Sequence, residues 1–210
     1  MPSYDILIAF IIATALFGYM PGPALLYASA RTIADGRKAG FMAALGLHIG
    51  GYVHVFAAAF GLAALFTLVP VLYTVLKFAG AAYLVFLGIK LIISKSKHDA
   101  TAKDVAQKSP KRAFFESMTV EILNPKTAIF YVAFLPQFTD VAAAFPIWLQ
   151  LVILGIVVNV VFSSADVICV FLAHKIATAF RKLHSANRWA ERMGGGLLVG
   201  LGAHLAFFQK

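Results

Sequence analysis

The sequence predicts an all-α integral membrane protein of six transmembrane helices, built as two inverted three-helix repeats with the first helix of each repeat broken at Gly-Pro or Asn-Pro. Three observations lead there. Of the 210 residues, 61% are hydrophobic and only 13% charged, with a mean hydropathy of +0.85, whereas soluble domains carry roughly a quarter charged residues. Apolar stretches near the roughly 20 residues that cross the hydrocarbon recur along the whole chain with brief polar interruptions. Proline breaks at Gly22-Pro23 and Asn124-Pro125 stand at matching places in the two halves. The chain is read as one polytopic domain over 1–210, with repeat 1 at about 4–93, a cytoplasmic linker at about 94–113 and repeat 2 at about 114–208.

The first span, 4–27, follows a leader, Met1 to Asp5, that carries an acid and no Lys or Arg. No small-x-small cleavage site follows, so it reads as a helix and not as a signal peptide. The second span, 39–65, sets Gly46, Gly50 and His54 on one face by their spacing of four, while His48 lies on another face near Tyr52. Such a glycine pair suits helix packing or a contact between copies in a homo-oligomer. The third span is 71–93 and the fourth 114–138. The fifth, 145–173, carries Gly155, Asn159, Ser163 and Asp166 as one small or polar stripe on an otherwise apolar helix. That stripe is expected to face the protein interior or a wet cavity. The sixth span is 193–208.

Lys and Arg sort by alternate loops. Arg31, Arg37 and Lys38 fall in the first; Lys95, Lys97, Lys103, Lys108, Lys111 and Arg112 in the third; Lys175, Arg181, Lys182, Arg188 and Arg192 in the fifth. The segments 66–70 and 139–144 contain neither residue. The positive-inside rule then puts the basic loops in the cytoplasm of a bacterial inner membrane and both termini on the periplasmic side. The net charge of +9 faces anionic headgroups on this reading, and no nucleic-acid partner is expected. The single Cys169 excludes an intramolecular disulfide and a Cys-x-x-Cys redox pair. No cofactor is expected, and no His, Asp and Glu spacing resembles a metal site.

Gly80-Ala81-Ala82-Tyr83-Leu84-Val85-Phe86-Leu87-Gly88 in the third span and Gly194-Gly195-Gly196-Leu197-Leu198-Val199-Gly200-Leu201-Gly202 in the sixth place Gly, Leu, Val, Leu and Gly in register. Three helices per repeat is an odd number, so the second copy enters the membrane from the opposite side, as in many secondary transporters that work by alternating access.

Proline removes an N–H donor and frees the carbonyl four residues earlier, that of Tyr19 for Pro23 and that of Glu121 for Pro125. Asn is a favoured N-cap and Pro suits the first helical position, so Asn124-Pro125 also starts a fresh half-helix, with Gly22-Pro23 a weaker form of the same signal. The positive end of such a half-helix, together with Lys126, favours a carboxylate. Kinks that serve packing, with Lys126 snorkelling to an interface, are the plain alternative. Glu121, Lys126 and Asp166 are costly within a membrane and need pairing, water or protonation. Five residues separate Glu121 from Lys126, so they pair only if the break reorients them; a pairing of Lys126 with Asp166 is the other hypothesis. Substrate binding or translocation is therefore expected at Gly22, Pro23, Glu121, Asn124, Pro125, Lys126, Asn159 and Asp166. Proton handling is expected among Glu121, Asp166 and His54.

Pro21-Gly22-Pro23, Gly36-Arg37-Lys38-Ala39-Gly40, Leu76-Lys77-Phe78-Ala79-Gly80-Ala81-Ala82-Tyr83-Leu84, Asn124-Pro125-Lys126 and Leu135-Pro136-Gln137-Phe138 together resemble the LysE/RhtB family of amino-acid exporters. The resemblance covers nearly the whole chain. It implies a proton-motive-force-driven secondary exporter of amino acids or their derivatives, with small-molecule substrate, protons and lipid as partners. It also implies roles for Gly22, Pro23, Asn124, Pro125 and Lys126. Some members of the family bear an acid where Gly51 stands here, and many have Asn or Gln in place of Glu121. The acidic group has then moved between helices, which bears on proton coupling or on substrate charge. Asp166 matches no motif of the family.

Three rival classes fit the sequence less well. A divalent-cation or other small-solute exporter of the same superfamily lacks paired intramembrane carboxylates at ligand spacing. A membrane-embedded serine protease needs a Gly-flanked nucleophile, which Ser163 and Ser164 do not offer. A scaffold has no use for the two helix breaks.

Overall fold

The computed structural model describes residues 4–69 and 109–182, together with isolated positions between 71 and 93 and between 196 and 203. Among the described residues the chain is helical, without a strand. The third and sixth spans, the repeated glycine segments and most of the linker lie largely outside the described residues.

Helix α1 runs Tyr4–Gly18 and α2 Pro23–Asp35. The two axes bend by 49° across the break. Gly22 is extended, with φ −152° and ψ −179°, and caps α2 without a side chain, while Pro23 takes the first helical position that its fixed φ suits. A sharp turn at Gly36, φ +85°, leads into α3, Arg37–Phe56. A π-helical segment, Ala57–Leu62, and α4, Ala63–Leu68, continue it. Helix α5 covers Pro110–Ile122, α6 Pro125–Phe134 with a 3-10 turn at Leu135–Phe138, and α7 Ile147–Lys182.

Arg37–Leu62 and Ile147–Ala173 are each long and apolar enough to cross a membrane, and the bent pair α1–α2 makes a third if it is one span. These correspond to the second, fifth and first predicted spans. The predicted fourth span is helical but divided into α5 and α6 at Leu123-Asn124.

Two boundaries differ from the sequence reading. The first helix continues past Tyr27 to Asp35, so Arg31 lies within a helix and not in a loop. Its guanidinium pairs with Asp35 one turn on, at 2.9 Å, and lies 5.8 Å from the centre of the Tyr27 ring, so both charges are tolerated on a packed helix. Helix α5 begins at Pro110, inside the expected linker, because Ser109 accepts the Arg112 N–H and Pro110 occupies the first position.

Helix α3 packs closely on α5 through the face that carries Gly46, Gly50 and His54. A Cβ at Gly46 would fall on the Ser117 hydroxyl and the Phe114 carbonyl, and one at Gly50 would come 2.8 Å from the Met118 carbonyl. The glycine pair thus serves a contact inside the chain. The main core is aromatic. Phe10 and Phe17 of α1 meet Phe134 and Phe130 of α6 with ring centroids 5.6 and 4.0 Å apart, and Val55, Leu151 and Val158 close around them. Helix α2 is tied to α5: the Tyr27 hydroxyl donates to Glu116 at 2.9 Å, and the same carboxylate accepts from Arg112 at 2.8 Å. The first half of one broken helix therefore lies with the second half of the other, and the two breaks meet.

Candidate functional site

At the second break Pro125 offers no N–H, so the Glu121 carbonyl is left for other donors. His54 Nε2 lies 2.8 Å from it; a carbonyl only accepts, so Nε2 carries the hydrogen. The Asn124 N–H donates to the same oxygen at 3.0 Å. Asn124 is the predicted N-cap: its Oδ1 accepts from the Lys126 backbone N–H at 3.1 Å. That orients the amide, and its Nδ2 donates to Glu121 Oε2 at 3.1 Å. One asparagine thus starts α6 and holds the carboxylate that precedes it.

The first break is closed from the second. The Lys126 ammonium donates to the Phe17 carbonyl at 3.2 Å and to the Met20 carbonyl at 3.0 Å, and it lies 4.5 Å from the centre of the Phe17 ring. The carbonyl expected to be freed was that of Tyr19, four before Pro23. Because α1 already ends at Gly18, the break removes a whole turn and the lysine serves the carbonyls on either side of Tyr19. Its charge also sits where the carbonyl end of α1 is negative. A Cβ at Gly22 would lie 3.1 Å from both Cδ and Nζ of Lys126, so a glycine lets the lysine pass. Among the described residues Lys126 forms no ion pair with Glu121, as their spacing predicts for a break that does not bring them together, and none with Asp166, the pairing put forward instead. The helix carbonyls hold the ammonium in their place.

The polar stripe on α7 faces inward, with Asn159 and Asp166 buried. Asn159 Nδ2 donates to the His48 carbonyl at 3.1 Å, and a Cβ at Gly51 would fall on its side-chain amide. Ser163 Oγ donates to the Asn159 carbonyl at 2.7 Å and lies 2.6 Å from His48 Nδ1. With its one hydrogen used, Ser163 accepts from His48, whose Nδ1 then carries the hydrogen. Gly155 accepts from the Tyr131 hydroxyl at 3.1 Å.

Between these elements lies a cavity with a free volume of about 30 Å³, room for about two water molecules. Gly22, Glu121, Asn124, Lys126, Asn159 and Asp166 line it, with Phe17, Leu25, Leu47 and Phe162 as its apolar walls. Pro23 and Pro125 stand at the helix starts beside it, and His54 reaches the site through the Glu121 carbonyl. Thr127 and Ser163 also line it. Ser163 was visible as part of the stripe. Gly51, which accommodates Asn159 from the opposite helix, carries no signal along its own helix.

The chain matches the model of the LysE type translocator family over residues 15–208. It is 30% identical over 191 residues to an uncharacterized membrane protein of Pseudomonas aeruginosa, covering 89% of this chain and 88% of that protein. It is 30% identical over 207 residues to a leucine efflux protein of Klebsiella pneumoniae, covering 97% and 95%. A leucine efflux protein of Salmonella typhimurium is 31% identical over 207 residues, covering 96% and 94%. No solved structure matches. With the family model spanning nearly the whole chain, this membrane protein belongs to the LysE type translocator family.

Proposed function

We propose that the protein is a secondary active exporter of amino acids or their derivatives, driven by the proton motive force and working by alternating access in a bacterial inner membrane. The observation that carries this reading is the meeting of two broken helices through Lys126 over a cavity that also holds Glu121, Asn159 and Asp166. Helix ends and a lysine suit a carboxylate, the apolar walls suit an aliphatic side chain, and a scaffold needs none of these. Two relatives named for leucine efflux make leucine the first substrate to test.

The crossed pairing of α1 with α6 and of α2 with α5 supports a two-fold relation between the broken helices; six spans with both termini outside are proposed from the hydropathy and charge pattern. At about 30 Å³ the cavity is smaller than an amino acid, so on this reading loading takes place in a state in which the halves have parted. Glu121, buried and held by a neutral amide, is the group assigned to the proton, because Asn124 can donate to it in either protonation state.

Efflux of radiolabelled amino acids from cells loaded with dipeptides tests this. Overproduction is expected to raise, and deletion to lower, export of leucine or a small set of amino acids, and a protonophore is expected to abolish the difference. Equal excretion of every amino acid with and without the protein would overturn the reading.

A further inference from the structure

We propose that Asp166 is the receptor for the ammonium group of the substrate, so that the cavity reads an amino acid by both of its charged ends. This rests on the reading above that amino acids are the cargo. Two carboxylates line the cavity and their surroundings differ. Glu121, 5% exposed, accepts a hydrogen bond from Asn124. Asp166, 6% exposed, has no hydrogen-bond or ion-pair partner among the described residues, and it lines the cavity. A carboxylate withdrawn from water without a donor is costly, and the cost is relieved by a ligand that brings both positive charge and N–H groups. A primary ammonium brings three such donors.

The opposite charge has its own partners in the same cavity. Lys126 spends two of its three N–H donors on Phe17 and Met20, leaving one. Helix α2 starts without a side-chain cap, and Ala24 and Leu25 of its first turn line the cavity, so its unpaired N–H groups lie beside the site. A zwitterion spans these two ends, its carboxylate on Lys126 and α2 and its ammonium on Asp166.

The test is binding to the full-length protein in nanodiscs, with L-leucine, 4-methylpentanoate, which lacks the amine, and 3-methylbutylamine, which lacks the carboxylate. Wild type is expected to bind leucine about tenfold or more tightly than 4-methylpentanoate, the value of one hydrogen bond to a charged group. Asp166→Asn is expected to bring the two within about twofold and to lose 3-methylbutylamine. Asp166→Glu keeps the charge, and so the preference, and guards against loss of fold as the cause. A preference for leucine that survives in Asp166→Asn overturns the proposal. So does a variant whose sole defect is lost proton dependence of efflux, which would make Asp166 a proton carrier. Wild type that binds the amine but not leucine would remove the exporter reading while Asp166-dependent amine binding still upheld the ammonium site; binding of neither removes both.

Discussion

Replacing Lys126 and Gly22 by Ala, singly and together, separates the lysine's hold on the first break from the local demands of glycine. The ammonium makes two hydrogen bonds to helix carbonyls and a contact with the Phe17 ring. A hydrogen bond to a charged group nets about 1.5–3 kcal/mol, and the ring adds about 1 kcal/mol. Against these stands the withdrawal of an ammonium from water, which costs several kcal/mol. On removal, the Phe17 carbonyl keeps the Met20 N–H at 3.3 Å, whereas the Met20 carbonyl loses the lysine. The net expectation for Lys126→Ala is a loss of about 2 kcal/mol, read as a fall of about 4–8 °C in the unfolding midpoint of the detergent-purified protein. Gly22 has an extended backbone that alanine adopts freely. The atoms nearest its added Cβ belong to Lys126, at 3.1 Å, and pushing that side chain off its rotamer costs about 1 kcal/mol. In the Lys126→Ala background those atoms are gone and this penalty vanishes. The loss of glycine as an N-cap acts in both backgrounds and cancels in the cycle. The expected coupling is about 1 kcal/mol. An equal penalty for Gly22→Ala with and without the lysine would refute the claim that Lys126 sets the requirement for glycine.

His54→Leu removes one of two donors to the Glu121 carbonyl and is expected to cost about 1 kcal/mol in the same unfolding measurement, with His54→Gln restoring part of it; no difference between Leu and Gln would deny the hydrogen bond its role. Gly51→Ala drives a methyl into the Asn159 amide and is expected to destabilise by about 1–3 kcal/mol, with efflux falling as Asn159 leaves the cavity; wild-type behaviour would mean that α3 and α7 are less closely packed. Glu121→Gln keeps an acceptor for Asn124, so the unfolding midpoint is expected to hold while efflux loses its dependence on external pH; a retained dependence would move the proton to another group.

What the sequence made legible of the fold is what acts locally. Asn124-Pro125 is a cap and a first helical residue whatever surrounds it, and α6 starts there. The span at 37–62 and the one at 147–173 stand out by hydropathy alone. The end of α2 is not legible along the chain because Arg31 and Asp35 look like loop charges until their pairing on one helix face is seen. The start of α5 was masked in the same way by the basic composition around Ser109-Pro110.

The candidate site was legible as a set of residues but not as an arrangement. The α7 stripe pointed inward, and it does, because polar groups on an apolar helix leave few alternatives. The partners of those residues come from other helices, and no periodicity records them: Gly51 receives Asn159, His54 reaches the Glu121 carbonyl, and Lys126 crosses to α1. The last contact alters the physical meaning of the motif. Read along its own helix, Asn124-Pro125-Lys126 is a positive helix start awaiting an anion; folded, its charge already neutralises the carbonyl end of α1. On the function proposed above, a substrate carboxylate that draws on Lys126 would weaken the clasp between the two breaks, and by linkage any movement that opens the clasp would strengthen the carboxylate's hold. On that proposal the lysine that joins the two halves is the element through which cargo would act on conformation.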